Sequence, residues 1–154
     1  AHRLQRDIFI GRRLSDAAVG AALAEWPHGY CPACSSWPAF AESVDGARYL
    51  RCSFCGAEWC PVHHRCIYCD DATDALLTAA ADMEHTWRRL ELCRACGGYL
   101  KSVDVRILTP FELLPVADLE TSDLDVAVAE RGYVRPPMRD VTSTAQPCPE
   151  TDTH

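Results

Sequence analysis

The sequence predicts a small α+β fold: two tandem β modules of the zinc-ribbon or rubredoxin-like kind, each around a four-cysteine metal site. An N-terminal and a C-terminal helix flank them, and a disordered tail follows. Two observations carry this. All but two of the ten cysteines stand as Cys-x-x-Cys pairs, namely Cys31 with Cys34, Cys52 with Cys55, Cys66 with Cys69 and Cys93 with Cys96. Between and after the pairs lie short alternating segments bounded by turn residues, which is the pattern of strands in hairpins. Two residues between cysteines let a tight turn aim both sulfurs at one ion while backbone amides offset their charge.

In chain order, residues 1–30 form an N-terminal helical segment. SDAAVGAALAEW, from Ser15 to Trp26, has a possible N-cap at Ser15, and Val19, Ala22, Leu23 and Trp26 lie on one face before Pro27 stops it. The first ribbon, 31–65, contains candidate strands Trp37 to Val44 and Arg48 to Cys52 around Asp45-Gly46, a strong two-residue hairpin signal. The second ribbon, 66–109, has candidate strands Ala75 to Ala80, Thr86 to Leu92 and Tyr99 to Leu108. Asp74 to Leu90 is also rich in Ala, Leu and Glu, so a helix competes there by propensity. Residues 110–135 carry the C-terminal helix, between about Asp118 and Arg131, with Leu119, Leu124, Ala127 and Val128 spaced for one buried face and Gly132 as its cap. Residues 136–154 have almost nothing to bury and are expected to be a disordered tail.

A disulfide scaffold is the competing account of the cysteines, but a Cys-x-x-Cys loop is small and strained as a structural disulfide. A thioredoxin-type redox pair would explain one pair and not four. Ala1 to Arg13 mixes charged residues with a short apolar group and does not read as a signal peptide. No stretch approaches the roughly 20 apolar residues of a membrane span. A reduced cytoplasmic setting and bound metal follow, with no membrane insertion.

A knuckle needs the residue after its second cysteine to accept a left-handed conformation. Gly56 and Gly97 do so freely, Asp70 tolerates it and Ser35 fits least well. Consecutive pairs sharing an ion are favoured, because each ribbon has its own candidate hairpin, and a cross-brace joining first with third and second with fourth is the alternative. If the metals only hold the fold, replacing Cys31 or Cys93 is expected to unfold its own ribbon and leave the other largely intact; a global collapse would mean that the two ribbons fold as one unit. Four thiolates leave no open coordination position, which argues against a metallohydrolase. Soft tetrahedral sulfur suits zinc or a single iron.

The formal charge of −7 opposes nucleic-acid binding, and each four-thiolate site holding a divalent ion adds about −2 more. Cys60, beside His63 and His64, reads as an extra cysteine in a connector, and Cys148 as a tail thiol. His85 reads as a surface residue. There is no phosphate loop, paired-histidine protease motif or nucleophile elbow, so the chain reads as a non-enzyme.

The ordered runs CPAC, GARYLRCSFCGAEW, RCIYC, CRACGGYLK and VADLETSDLDVAVAERGYVRP resemble the C-terminal cysteine-rich domain of the formate dehydrogenase accessory protein family, FdhE, over about residues 31 to 135. The resemblance implies a cytoplasmic maturation factor that binds the catalytic subunit of a molybdenum- or tungsten-containing formate dehydrogenase before export. It also implies rubredoxin-like iron at the eight paired cysteines, and it marks Arg48, Trp59, Tyr99 and Lys101 as partner-binding candidates, with packing of the ribbon cores as the alternative role for Trp59 and Tyr99. Two features depart from the family pattern. Typical members have a helical N-terminal region of which this chain holds at most the last helix, and the connector after Trp59 has His63 where an arginine is expected. The alternatives are a rubredoxin-like electron carrier and a zinc-ribbon nucleic-acid module.

Overall fold

In a computed structural model, residues 26–136 are described apart from 62, 74, 81 and 82. The expected N-terminal helix, except Trp26, and the expected tail after residue 136 lie outside the described residues. The strands are β1 (Phe40–Val44), β2 (Ala47–Arg51), β3 (Glu58–Trp59), β4 (Leu76–Ala80), β5 (Arg88–Cys93) and β6 (Tyr99–Asp104). A single 3-10 turn (Phe111–Leu113) then leads into α1 (Leu114–Glu120) and α2 (Ser122–Ala129).

The β1–β2 turn forms where the sequence signals it: Asp45 and Gly46 both take left-handed conformations, with φ of 50° and 83°. Such a turn matches the strand twist. Leu76–Ala80 is a strand despite its helix-favouring composition, because it pairs along its whole length with β5. Tertiary pairing outweighs a propensity difference of a few tenths of a kcal/mol per residue. The two-residue strand β3 was not legible in advance.

All six strands form one sheet in the order β3-β2-β1-β6-β5-β4. The two ribbons are therefore halves of a single sheet. Each has the same plan, knuckle, two antiparallel strands, knuckle, third strand, and the halves join where β1 and β6 run parallel, with Ala41 opposite Ser102 and Ser43 opposite Asp104.

The central part of the sheet buries residues on both faces. On one, Ala41, Leu50, Trp59 and Leu100 pack with Ile67 and the cysteines Cys31, Cys52 and Cys55, and Trp26 and Tyr68 lie against them. On the other, the helices dock: Leu90 and Tyr99 meet Leu124 and Val128, and Ala39 and Phe40 meet Leu114. This second face also buries charge. Arg51 and Glu42 form an ion pair with both side chains at most 3% exposed, and Thr109 bonds both, its backbone N–H to Glu42 and its carbonyl to Arg51.

The C-terminal helix differs from the expectation of one continuous amphipathic element. It breaks at Thr121, whose hydroxyl donates back to the Ala117 and Asp118 carbonyls at 3.1 Å. Even an unbroken helix, at about 100° per residue, would set Leu119 about 140° from Leu124 and opposite Val128. Leu124 and Val128, one turn apart, are buried on α2, while Leu119, expected on the same face, is 71% exposed on α1. Gly132 does take the left-handed cap conformation (φ 82°), its N–H reaching the Ala129 carbonyl.

Candidate metal centres

All four Cys-x-x-Cys pairs fold into one backbone shape. In each, the N–H of the residue after the second cysteine donates to the carbonyl of the first: Ser35 to Cys31, Gly56 to Cys52, Asp70 to Cys66 and Gly97 to Cys93, every one at 2.9 Å. The first cysteine's own N–H closes the turn onto the carbonyl five residues on, at 2.8–2.9 Å. The closing geometry requires a positive φ after the second cysteine, and Ser35 (62°), Gly56 (77°), Asp70 (62°) and Gly97 (70°) all have it. Ser35 thus adopts the conformation its side chain disfavours.

The two glycines predict different costs. A Cβ on Gly97 would meet nothing within 4 Å, so Gly97→Ala carries only the left-handed penalty of about 1–2 kcal/mol. A Cβ on Gly56 would also stand 2.6 Å from the Phe111 ring. Gly56→Ala is therefore expected to lower the urea midpoint more than Gly97→Ala, and equal shifts would contradict the placement of Phe111.

Chain topology brings the knuckles together in consecutive pairs, not as a cross-brace. Cys31, Cys34, Cys52 and Cys55 form one sulfur cluster and Cys66, Cys69, Cys93 and Cys96 another, with each set of sulfurs lying within 4.8 Å of one another. Closest approaches are 3.5 Å in the first (Cys31 to Cys55, Cys34 to Cys52) and 3.7 Å in the second (Cys66 to Cys96, Cys69 to Cys93). A tetrahedral ion with metal–sulfur bonds of about 2.3 Å separates its sulfurs by about 3.8 Å. The donor set and its spacing fit, and each cluster can hold a metal ion.

The clusters differ in access. Cys31 and Cys52 are fully buried in the first, whereas Cys69 and Cys96 are exposed in the second. In the first, hydrogen bonding to Cys34, Cys52 and Cys55, reinforced by burial, pushes the Cys31 thiol up, and the reciprocal bonds pull Cys34 down. Four thiols at this range share protons, and a divalent cation lets all of them ionise together.

Similarity to known proteins agrees with this arrangement. No protein-family model matches the chain. A curated FdhE homolog from Aquifex aeolicus is 32% identical over 118 residues, 71% of this chain and 40% of that protein. One from Pseudomonas putida is 36% identical over 116 residues, covering 68% and 36%, and FdhE of Escherichia coli O127:H6 is 31% identical over 129 residues, covering 80% and 41%. The crystal structure of FdhE from Pseudomonas aeruginosa superposes with a TM-score of 0.60 at 32% identity, over 75% of this chain and 42% of that one. The chain belongs to the FdhE family. It spans about two fifths of the length of these relatives.

In this FdhE-family chain, the residues expected to face a partner are placed inside. Arg48 reaches across the sheet to Glu91 through two bonds of 2.6 and 2.7 Å, the pair being 15% and 6% exposed. Trp59 and Tyr99 are buried in the two cores, and Lys101 is wholly buried. As placed, all four are committed to internal contacts. Trp59 and Tyr99 pack the two cores, the alternative role expected of them from the sequence.

Lys101 Nζ donates to Asp118 Oδ1 at 2.6 Å, to Asp125 Oδ2 at 2.8 Å and to the Asp118 carbonyl at 2.8 Å. Arg135 bridges the same two aspartates at 3.2 Å. Burial would raise the Asp118 carboxyl, but the bonds from Arg135 and Lys101 outweigh it and hold Asp118 below its usual range. Sequence reasoning missed this network and Glu91, because the paired charges lie far apart in the chain.

The Tyr99 hydroxyl donates to Asp125 at 2.8 Å, and burial, then that bond, push the phenol up to about 12. A folded-state value above the unfolded one means stability present below pH 10 and lost as pH rises from 10 through 12. The stability advantage of the parent chain over Tyr99→Phe is expected to shrink across that window in denaturant melts; a constant difference would contradict it.

Cys60, His63 and His64 are exposed and join no third cluster among the described residues, and Cys148 lies outside them. No described helix is long and apolar enough to cross a membrane.

Proposed function

We propose that this chain is the metal-binding module of a non-catalytic accessory factor that binds the catalytic subunit of a formate dehydrogenase during assembly, in the cytoplasm. The carrying observation is the pair of four-cysteine clusters set in one sheet, in a chain related to proteins named FdhE. In this reading the eight cysteines bind two ions. Iron is favoured by the family resemblance and zinc is the alternative. A four-sulfur site supplies a structural cross-link and, with iron, a one-electron centre; it leaves no position for substrate.

The acidic balance supports a protein partner over nucleic acid. Anaerobic co-purification of the metal-loaded chain with the immature catalytic subunit tests the reading. Retention of the subunit by the parent chain and its loss from a metal-stripped sample is the expected result; equal recovery from an unrelated bait would overturn it. Electron transfer stands as a second reading because the second cluster exposes Cys69 and Cys96. It requires reversible reduction and passage of electrons to a partner.

A further inference from the structure

The two ribbons repeat one plan, and among the described residues the repeat has an edge filled in one half and uncovered in the other. β1 and β4 each follow the first knuckle of their ribbon and pair antiparallel with the strand that enters the second knuckle. The outer edge of β1 is covered by β6, running parallel. No strand among the described residues covers the equivalent edge of β4.

Register fixes what that edge presents. The Arg94 N–H donates to the Ala75 carbonyl at 2.8 Å, with Leu76 opposite Cys93, so Ala75 and Arg94 form a hydrogen-bonded pair. Alternation then directs the N–H and C=O groups of Leu77 and Ala79 toward β5 and those of Thr78 and Ala80 outward. Thr78 and Ala80 are exposed.

The sheet's two edges are treated differently. β3 is only two residues long and carries Glu58, 53% exposed, which blunts it. β4 is five residues, LLTAA, with no charge, proline or glycine to discourage pairing. The loop that closes the β4–β5 hairpin exposes Met83 (95%) and Trp87 (46%).

We propose that the outer edge of β4 is a strand-acceptor site that takes an extended, uncharged segment of the client polypeptide, added parallel to β4 as β6 is added to β1. This rests on the accessory-factor reading and supplies its recognition chemistry. Main-chain hydrogen bonds provide the attraction with little demand on sequence, and an edge of this kind discriminates by state, because only a client not yet folded has an unpaired strand to offer. Side chains on both faces of β4 are apolar or small, so nothing there pairs with a charged strand, and Ala79 and Ala80 leave space for large apolar groups. A second copy fits less well. Continuing the repeat head to tail would use its β3, which pairs over only two residues.

The test uses the full metal-loaded chain and the immature catalytic subunit, read by amide hydrogen exchange and by binding of Thr78→Pro. Proline at this position removes an outward N–H and no ladder bond. Complex formation is expected to slow exchange at Thr78 and Ala80 at least tenfold, and Thr78→Pro to weaken association at least tenfold with both metals retained. Should Thr78→Pro not fold, Ala80→Lys is expected to give the same weakening through a charged edge. A complex that leaves both amides unchanged overturns the edge site while the accessory reading stands. Absence of any complex overturns the accessory reading and the occupant together. A chain that is dimeric alone and made monomeric by Thr78→Pro assigns the edge to a second copy and overturns the client as its occupant.

Discussion

Cys93→Ser is expected to cost both metal sites, lowering the ions bound per chain from two to below one and collapsing the two ribbons in a single transition. Cys93 ends β5, and the strand it leads into, β6, lies in the middle of the sheet. Leu100 of β6 is packed among the cysteines of the other cluster. Four-thiolate binding contributes on the order of 10 kcal/mol of folding free energy per site, against a total of about 5–15 kcal/mol for a typical domain. Removing one ligand therefore leaves little margin, and the parallel seam passes the loss across. Sequence alone suggests the opposite, each ribbon standing on its own ion. The check is metal content with amide spectra of the variant: one retained ion with an intact first ribbon would show that the halves fold independently.

Lys101→Met is expected to destabilise the fold by about 3–5 kcal/mol, the range for leaving a buried charge without its partner. The ammonium is fully buried and its three protons meet Asp118, Asp125 and the Asp118 carbonyl. Methionine fills similar volume but leaves Arg135 to neutralise two carboxylates alone. Adding Asp125→Asn to Lys101→Met should recover part of the loss, because one of the unpaired charges is then gone. Urea melts of the single and double variants measure both effects. A single-variant loss under 1 kcal/mol would mean that the network is solvated.

The cysteine spacing made the knuckles legible, down to the left-handed residue that follows each pair. It also made the first hairpin legible, since Asp45-Gly46 admits few other turns. What it did not disclose was the joining of the ribbons. Parallel pairing of Ala41 with Ser102 depends on contacts far apart in the chain, and no local pattern encodes it. The same distance hid Glu91 as the partner of Arg48 and the two aspartates around Lys101. An isolated charge on a strand reads as surface until the element covering it is known. Leu119 failed for a local reason: at about 100° per residue it stands about 140° from Leu124 and opposite Val128, so it is exposed while they are buried.

Elemental analysis of anaerobically purified protein, combined with X-ray absorption at the metal edge, tests the central claim most directly. Two ions per chain, each with four sulfur neighbours at about 2.3 Å, is the expected result. One ion or none per chain, or a first shell containing nitrogen or oxygen, would contradict the assignment of the eight cysteines to two closed sites.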